Sequence, residues 1–232
     1  MTPHQSFEQF ASAILPDGVP DESRSRFQAC ARFAKAKACD APFPTIEQDQ
    51  VVFVANGSTK LVAHASQGRE QVLAFHFAGD LAYIHARAAH AYTLCALENC
   101  ELVTFPAADF MMAAQGEALV VNEVLLRALL SLDRCREKSI ALGRKTAQER
   151  LAGFLIAMAE RIGSRQDDGC VLDLPMSRRD IGDSLGLTIE TVSRQMSDLR
   201  NLGLLETTGR SLIRIRDLPS LTARAGHLSQ AA

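Results

Sequence analysis

Hydrophobic and polar positions along this chain fall into three successive patterns. In the first, β-prone runs recur about every ten residues, at 51–55, 61–65, 71–77, 81–84, 92–96 and 101–105. Turn residues separate them at Asn56-Gly57, Gln67-Gly68 and Gly79-Asp80. Evenly spaced short strands predict a small antiparallel sandwich or barrel, and Asn56-Gly57 is the clearest hairpin signal in the chain. Residues 1–40, ahead of this block, read as short, poorly patterned helical pieces. Phe27, Phe33 and the alternating Ala and Lys of residues 34–38 suggest helix, which Pro42 and Pro44 would end.

The second pattern begins after Pro106, where turn residues almost vanish. From about residue 117 to 142 a helix-compatible segment runs for about seven turns, with Gly143 to close it. One stripe on it reads Val121, Leu125, Ala128, Leu132, Cys135, Ser139 and Leu142. Its alternation of four- and three-residue steps is that of a coiled-coil seam, which would pack the helix on its own copy in a homodimer. The same stripe could instead cover the β-domain within one chain. A second helix is expected over 146–162, with Thr146 and Glu149 as a capping box and Leu151, Phe154, Leu155 and Met158 on one face. A polar loop over 163–169 and a short strand over 171–174 follow.

The third pattern, from Ser177 to Leu205, is that of a helix-turn-helix. Ser177 caps a first helix whose Ile181 and Leu185 face inward, and Gly186 supplies a residue free to adopt positive φ at the turn. Thr188 caps a second helix with Val192, Met196 and Leu199 on its buried face. The other face carries Ile189, Glu190, Ser193, Arg194, Ser197 and Arg200. After Gly203, residues 204–207 and 210–215, joined through Thr208-Gly209, read as a two-stranded wing.

A recognition helix sets its N-terminal residues against base edges in the major groove, where guanine offers N7 and O6 to an Arg fork and cytosine offers an amino donor to a carboxylate. Glu190 and Arg194 stand four residues apart, so they project side by side and can pair with each other before DNA arrives. An isolated pair of this kind is commonly a surface salt bridge; inside a complete helix-turn-helix, base readout is the better account. Ser177, Arg178, Thr188, Arg200 and Arg210 are the candidates for holding the DNA backbone, four of them at helix starts or at a hairpin tip where phosphates are held.

Composition narrows the field without deciding it. The 232 residues carry 25 Lys and Arg against 27 Asp and Glu, and 47% are hydrophobic, an ordinary globular balance that excludes intrinsic disorder. Residues 175–216 carry seven basic side chains against five acidic ones, a modest local excess, so a claim of DNA binding rests on arrangement rather than on net charge. No apolar run approaches the ~20 residues of a membrane helix, and the first ten residues lack a signal peptide's pattern, so a cytoplasmic protein is expected. The six cysteines contain no Cys-x-x-Cys pair. No nucleophile and base can be paired from spacing, so an enzyme is not expected.

A β-domain, a long helix, a second helix and a winged helix-turn-helix, in that order, resemble the catabolite activator/FNR superfamily of bacterial transcription regulators. The resemblance spans roughly residues 44–216. Its most specific pieces are Lys-Thr-Ala-Gln-Glu-Arg-Leu-Ala-Gly-Phe at 145–154 and Arg-Asp-Ile-Gly-Asp-Ser-Leu-Gly-Leu-Thr-Ile-Glu-Thr-Val-Ser-Arg at 179–194. Glu190, Ser193 and Arg194 match the FNR/FixK-type signature, with Ser193 and Ile189 where the catabolite activator branch has Gly and Arg. Ser184 stands where the family usually has Tyr or another large residue, which would loosen the packing between the two helices.

The resemblance implies an α+β chain in four parts: a helical arm over 1–40, a cyclic-nucleotide-binding-like β-roll over 41–110, a dimerisation helix over 111–143 and a winged helix-turn-helix over 144–232. Val121, Leu125, Ala128, Leu132, Cys135 and Leu142 would form the dimer seam. The implied target is double-stranded DNA with a TTG-N8-CAA-like palindrome, Arg194 reading the guanine, Glu190 the opposite cytosine or a neighbouring amino group, and Ser193 a thymine edge. The implied role is an activator that recruits RNA polymerase and can act without an effector.

No cofactor is expected. The FNR iron–sulfur cluster needs a tight N-terminal cysteine triplet; here only Cys30 and Cys39 lie near that end, and Val103 falls where the β-domain ligand would align, with Cys100 nearby. Gly79-Asp80 matches the family's Gly-Glu nucleotide pair weakly, and His90-Ala91 or Ala91-Tyr92 replaces its Arg-Ser, with Arg87 close by. His64, His76, His85 and His90 are scattered through the β-domain, so a satisfied or solvent-facing role is expected of them before haem ligation. Cys170 and Cys135 are the candidates for redox control, with plain packing as the alternative. The rival function is a ligand- or redox-gated sensor acting mainly through protein contacts.

Overall fold

The computed structural model describes residues 1–43, 47–64, 68–87, 92–166 and 169–226. The chain forms two compact units, residues 1–133 and 134–232.

In the first unit, α1 (Pro3–Ile14) and α2 (Asp21–Cys30) precede seven strands: β1 (Arg32–Ala36), β2 (Gln50–Asn56), β3 (Ser58–His64), β4 (Glu70–Phe77), β5 (Leu81–Ile84), β6 (Tyr92–Ala96) and β7 (Cys100–Pro106). They build two antiparallel sheets, ordered β1-β7-β2-β5 and β4-β3-β6. Helices α3 (Ala107–Ala114) and α4 (Ala118–Arg144) follow, and α4 continues into the second unit. One core is an aromatic cluster in which Phe10 of α1 meets Phe27 of α2, Phe53 of β2, Phe105 of β7 and Phe110 of α3, with ring centroids 4.7–6.3 Å apart. The N-terminal helices are therefore built into the core of the β-roll unit. A second core of Val52, Val54, Ile84, Leu94, Ala96 and Leu102 lies among the strands.

Three local expectations are corrected here. Residues 34–38 do not form a helix: β1 takes residues 32–36 and pairs with β7, Phe33 opposite Val103 and Lys35 opposite Glu101. The Ala/Lys alternation also has the period of a strand, with Ala36 buried and the Lys35 amine 2.9 Å from Glu101; ladder pairing and burial override helix propensity. Asn56-Gly57 is not a hairpin turn. Strand β2 pairs with β5 and β7 while β3 pairs with β4 and β6, so Gly57 (φ 81°) is a corner at which the chain changes sheets. A Cβ there would lie 2.5 Å from the Asn99 carbonyl oxygen, so only glycine fits the crossing. The polar loop expected over 163–169 also contains a strand, described below.

The second unit holds the end of α4, then α5 (Ala147–Ile162), β8 (Ser164–Gln166), β9 (Gly169–Asp173), α6 (Arg178–Leu185), α7 (Ile189–Asn201), β10 (Leu205–Thr208), β11 (Leu212–Ile215) and α8 (Leu218–Arg224). Thr146 and Glu149 form the expected capping box on α5, whose Leu151, Phe154, Leu155 and Met158 are buried. Residues 164–166, expected in a loop, instead add β8 to a sheet ordered β10-β11-β9-β8. Ladder pairing of 164–166 with 169–171 accounts for a strand in so polar a segment. The two-stranded wing is thus the outer part of a four-stranded sheet.

Helix α4 spans 27 residues and carries Gly143 inside its last turn rather than beyond its end. The face that meets its own β-roll is Val120, fully buried, Val124 and Arg127. The seam stripe is a neighbouring face and is exposed: Val121 is 48%, Leu125 53% and Leu132 46% accessible, and Ala128 and Cys135 are exposed too. It does not cover the β-domain. Leu142, lower on the helix, lies against the turn at Gly186, its Cδ2 3.3 Å from where a Cβ of that glycine would sit.

Candidate nucleic-acid interface

The local sequence fixes both helices of the helix-turn-helix. The Ser177 hydroxyl accepts from the Asp180 amide at 3.2 Å and donates to the Asp180 carboxylate at 2.6 Å, while the Ser177 amide donates to the same carboxylate at 2.8 Å. This box starts α6 and buries Asp180 without leaving it unsatisfied. Helix α6 ends at Gly186, φ 63° and ψ 41°, the left-handed conformation that redirects the chain toward α7. Thr188 then caps α7, its Oγ1 accepting from the Thr191 amide at 3.2 Å. Ile181 and Leu185 of α6 and Val192, Met196 and Leu199 of α7 are buried between the helices and their neighbours. Arg150 of α5 locks this arrangement, its Nη1 donating to the Leu185 carbonyl at 2.9 Å.

With one face of α7 fixed in the core, the opposite face is set. Ile189, Glu190, Ser193 and Arg194 are exposed. Glu190 is held below the usual carboxylate range by its own backbone amide and by the Thr188 hydroxyl, so it is an acceptor at neutral pH. Among the described residues no ion pair joins Glu190 to Arg194, contrary to the expected pre-pairing. Glu190 and Arg194 therefore stand as separate exposed groups on the outward face of α7.

Arg178, Ser193, Met196, Ser197, Arg200 and Thr207 surround a recess of ≈ 120 Å³ between the start of α6, the outward side of α7 and the wing strand β10. Arg178 is half-buried, its Nη1 shielded from water with no hydrogen-bond partner, and burial lowers its pKa. An unsatisfied guanidinium nitrogen facing hydroxyls is suited to an anionic oxygen. Of the backbone candidates, Arg178 and Arg200 meet in this recess, and Arg210 stands exposed at the β10–β11 tip. The Ser177 and Thr188 oxygens are committed to capping. Ser197, which the sequence places on the outward face without a role of its own, joins the site here. Thr207 was missed, because only the wing's placement brings it in.

Of the groups weighed for sensing, all but Cys135 and Cys170 belong to the first unit. Asp80 closes its own turn, its carboxylate accepting from the Phe77 amide at 2.8 Å. His64 meets Thr93 at 2.7 Å, His76 meets Thr59 at 3.4 Å, and His85 lies 3.6 Å from Asp49. His90-Ala91 and the Ala91 of Ala91-Tyr92 lie outside the described residues; Arg87 is exposed. Among the described residues no three His, Cys, Asp or Glu side chains gather as a metal site requires. Cys170 is buried, and that burial raises its pKa, which works against thiolate chemistry; Cys135 is exposed.

A β-roll followed by a long helix and a winged helix-turn-helix with an open, polar recognition face defines a class, that of DNA-binding transcription regulators. The Crp-like helix-turn-helix domain model matches residues 149–224, and the cyclic nucleotide-binding domain model matches residues 46–117. The nitrogen fixation regulation protein FixK of Rhizobium meliloti (strain 1021) is 35% identical over 169 residues, 73% of this chain and 71% of that protein. The transcriptional activator protein FnrL of Cereibacter sphaeroides is 32% identical over 184 residues, 78% of this chain and 74% of that protein. The structure of FixK2 from Bradyrhizobium japonicum superposes with a TM-score of 0.75 at 30% identity, covering 87% of this chain and 99% of that one. The chain belongs to the Crp/FNR superfamily of DNA-binding transcription regulators, in its FixK-like branch. These relatives are regulators, not enzymes. Among the described residues no helix is long and apolar enough to cross a membrane.

Proposed function

We propose that this chain is a homodimeric transcription activator that binds a TTG-N8-CAA-like palindrome without an effector and recruits RNA polymerase. Arg194 reads the guanine, Glu190 the opposite cytosine or an adjacent amino group, and Ser193 a thymine edge. Arg178, Arg200 and Arg210 hold phosphates, and Ser177 and Thr188 contribute through the helix N-termini they cap. The observation that carries the reading is the open presentation of Glu190, Ser193 and Arg194 along one face of α7 while Val192, Met196 and Leu199 anchor the other.

The seam of Val121, Leu125, Ala128, Leu132, Cys135 and Leu142 joins two copies and sets their recognition helices about 34 Å apart, one turn of DNA. Its exposure on a single chain supports this pairing, since so long an apolar stripe is costly in water. Residues 41–110 then act as the roll, into whose core the helices of residues 1–40 are built, 111–143 as the dimer helix and 144–232 as the reader.

Arg194→Ala tests the base assignment. The expected loss is about 1–3 kcal/mol on the palindrome, with discrimination relaxed at one base pair per half-site and retained at the others. Equal affinity of variant and wild type for the palindrome would refute it and favour a sensor acting through protein contacts.

A further inference from the structure

Arg127 continues the inner face of α4 that Val120 and Val124 begin, with a charge in place of an apolar side chain. Its guanidinium engages three separate elements. Nε donates to Glu123, one turn back on the same helix, at 2.6 Å; Nη1 donates to the Gly79 carbonyl at 2.8 Å; Nη2 donates to the Ala13 carbonyl at 2.9 Å.

Both carbonyl partners are themselves fixed. Ala13 lies in the last turn of α1, where carbonyls lack helical partners and carry the negative end of the helix dipole. Gly79, at φ 94°, forms the β4–β5 turn, which is tied to β2 on both sides: the Gly79 amide donates to the Val54 carbonyl at 2.8 Å, and the Val54 amide to the Asp80 carbonyl at 3.0 Å. The guanidinium thus holds α4 to the roll and to the helical arm through two rigid points. Lysine could not copy this, because a single ammonium lacks the planar fork that spans two carbonyls while pairing with Glu123.

The seam residues begin on the same stretch of helix. Val121, Leu125 and Ala128 flank Arg127 on the adjacent face. Any roll of α4 about its axis against the β-roll would carry that seam away from its copy. We propose that Arg127 is a positioning residue for DNA binding: it fixes the rotation of α4 on the roll, so that the seam is presented for dimerisation by the chain's own side chain and without a bound ligand. The proposal rests on the dimeric, palindrome-reading function argued above.

The test compares full-length wild type, Arg127→Met and Arg127→Lys, with Glu123→Gln as a control that removes only the carboxylate charge from the pairing within the helix. Each is titrated without ligand against a duplex carrying the TTG-N8-CAA palindrome and one carrying a single half-site. Circular dichroism and sedimentation equilibrium run alongside. Both Arg127 variants are expected to keep wild-type half-site affinity and to lose about tenfold or more of the palindrome advantage, with a weaker dimer and a binding curve that turns sigmoidal in protein concentration. Glu123→Gln is expected to bind as wild type.

A mere loss of folded protein would lower half-site and palindrome binding together and leave the curve shape unchanged, and that result overturns the proposal. So does a folded Arg127→Lys that binds and dimerises as wild type, which leaves the palindrome reading intact. A wild type that shows no palindrome advantage overturns the underlying reading and the role of Arg127 with it.

Discussion

Replacing Gly182 by alanine sets two known effects against each other. Gly182 lies inside α6 and faces the turn that leads into α7. A Cβ added there would sit 2.6 Å from the Leu187 carbonyl oxygen, a backbone atom that cannot swing away as a side chain can. The same turn is held by the Leu187 amide donating to the Gly182 carbonyl at 3.0 Å. Helix propensity favours alanine by about 1 kcal/mol. Overpacking a tight contact costs about 1–3 kcal/mol, and here the contact must open by about 0.5 Å against a buried neighbourhood that includes Ile181 and Leu185. The clash wins, and Gly182→Ala is expected to destabilise the helix-turn-helix unit by about 1–2 kcal/mol. Opening this contact also tilts α7 against its support, so palindrome affinity should fall more than non-specific affinity. Urea unfolding followed by circular dichroism, with DNA titration of the folded variant, measures both. A variant that unfolds at a higher urea concentration than wild type, as propensity alone requires, would refute the reasoning.

Two further outcomes follow from half-buried residues. Burial pushes the Lys138 amine down to about 8 from 10.5, near Ser184, whose Oγ its Nζ meets at 3.0 Å. Between those pH values the unfolded chain binds a proton that the folded chain has released, so this residue makes stability rise with pH across that window, by at most about 3 kcal/mol. Lys138→Met should flatten the rise; denaturant unfolding at about pH 7.5 and 9.5 checks it, and an unchanged difference between the two conditions would contradict it. At the corner between the sheets, Gly57→Ala combines positive φ with a Cβ 2.5 Å from the Asn99 carbonyl oxygen, and should lower the thermal stability of the N-terminal unit by about 2 kcal/mol or more. A neutral result in calorimetry would mean that β2 and β3 do not meet there as described.

What could be read in the sequence was local and periodic. The second helix, the caps at Ser177 and Thr188 and the buried triplet Val192, Met196 and Leu199 follow from short-range spacing, and the structure has them as expected. Features set by partners distant in sequence were not legible. Residues 34–38 alternate in a way that suits a helix surface or a strand, and only the β7 edge across the sheet decides between them. Asn56-Gly57 has the residues of a hairpin, but strand pairing elsewhere makes it a corner. Around the site, the outward face of α7 was readable because it is the complement of the buried one, whereas the Arg178 recess needs the wing strand folded beside it. Ser184 stands where the family usually has a large side chain. It is buried and accepts from Lys138, so a long cationic chain from α4 occupies ground that the sequence alone left open.

The measurement that bears most directly on the account is a titration of the purified protein, with no ligand added, against a TTG-N8-CAA duplex and a scrambled duplex of the same composition at several salt concentrations. Phosphate contacts alone would make both affinities fall with salt in parallel. The account predicts a preference for the palindrome of about a thousandfold or more that persists as salt rises. Equal, weak, salt-sensitive binding to the two duplexes would contradict effector-independent recognition through Glu190, Ser193 and Arg194.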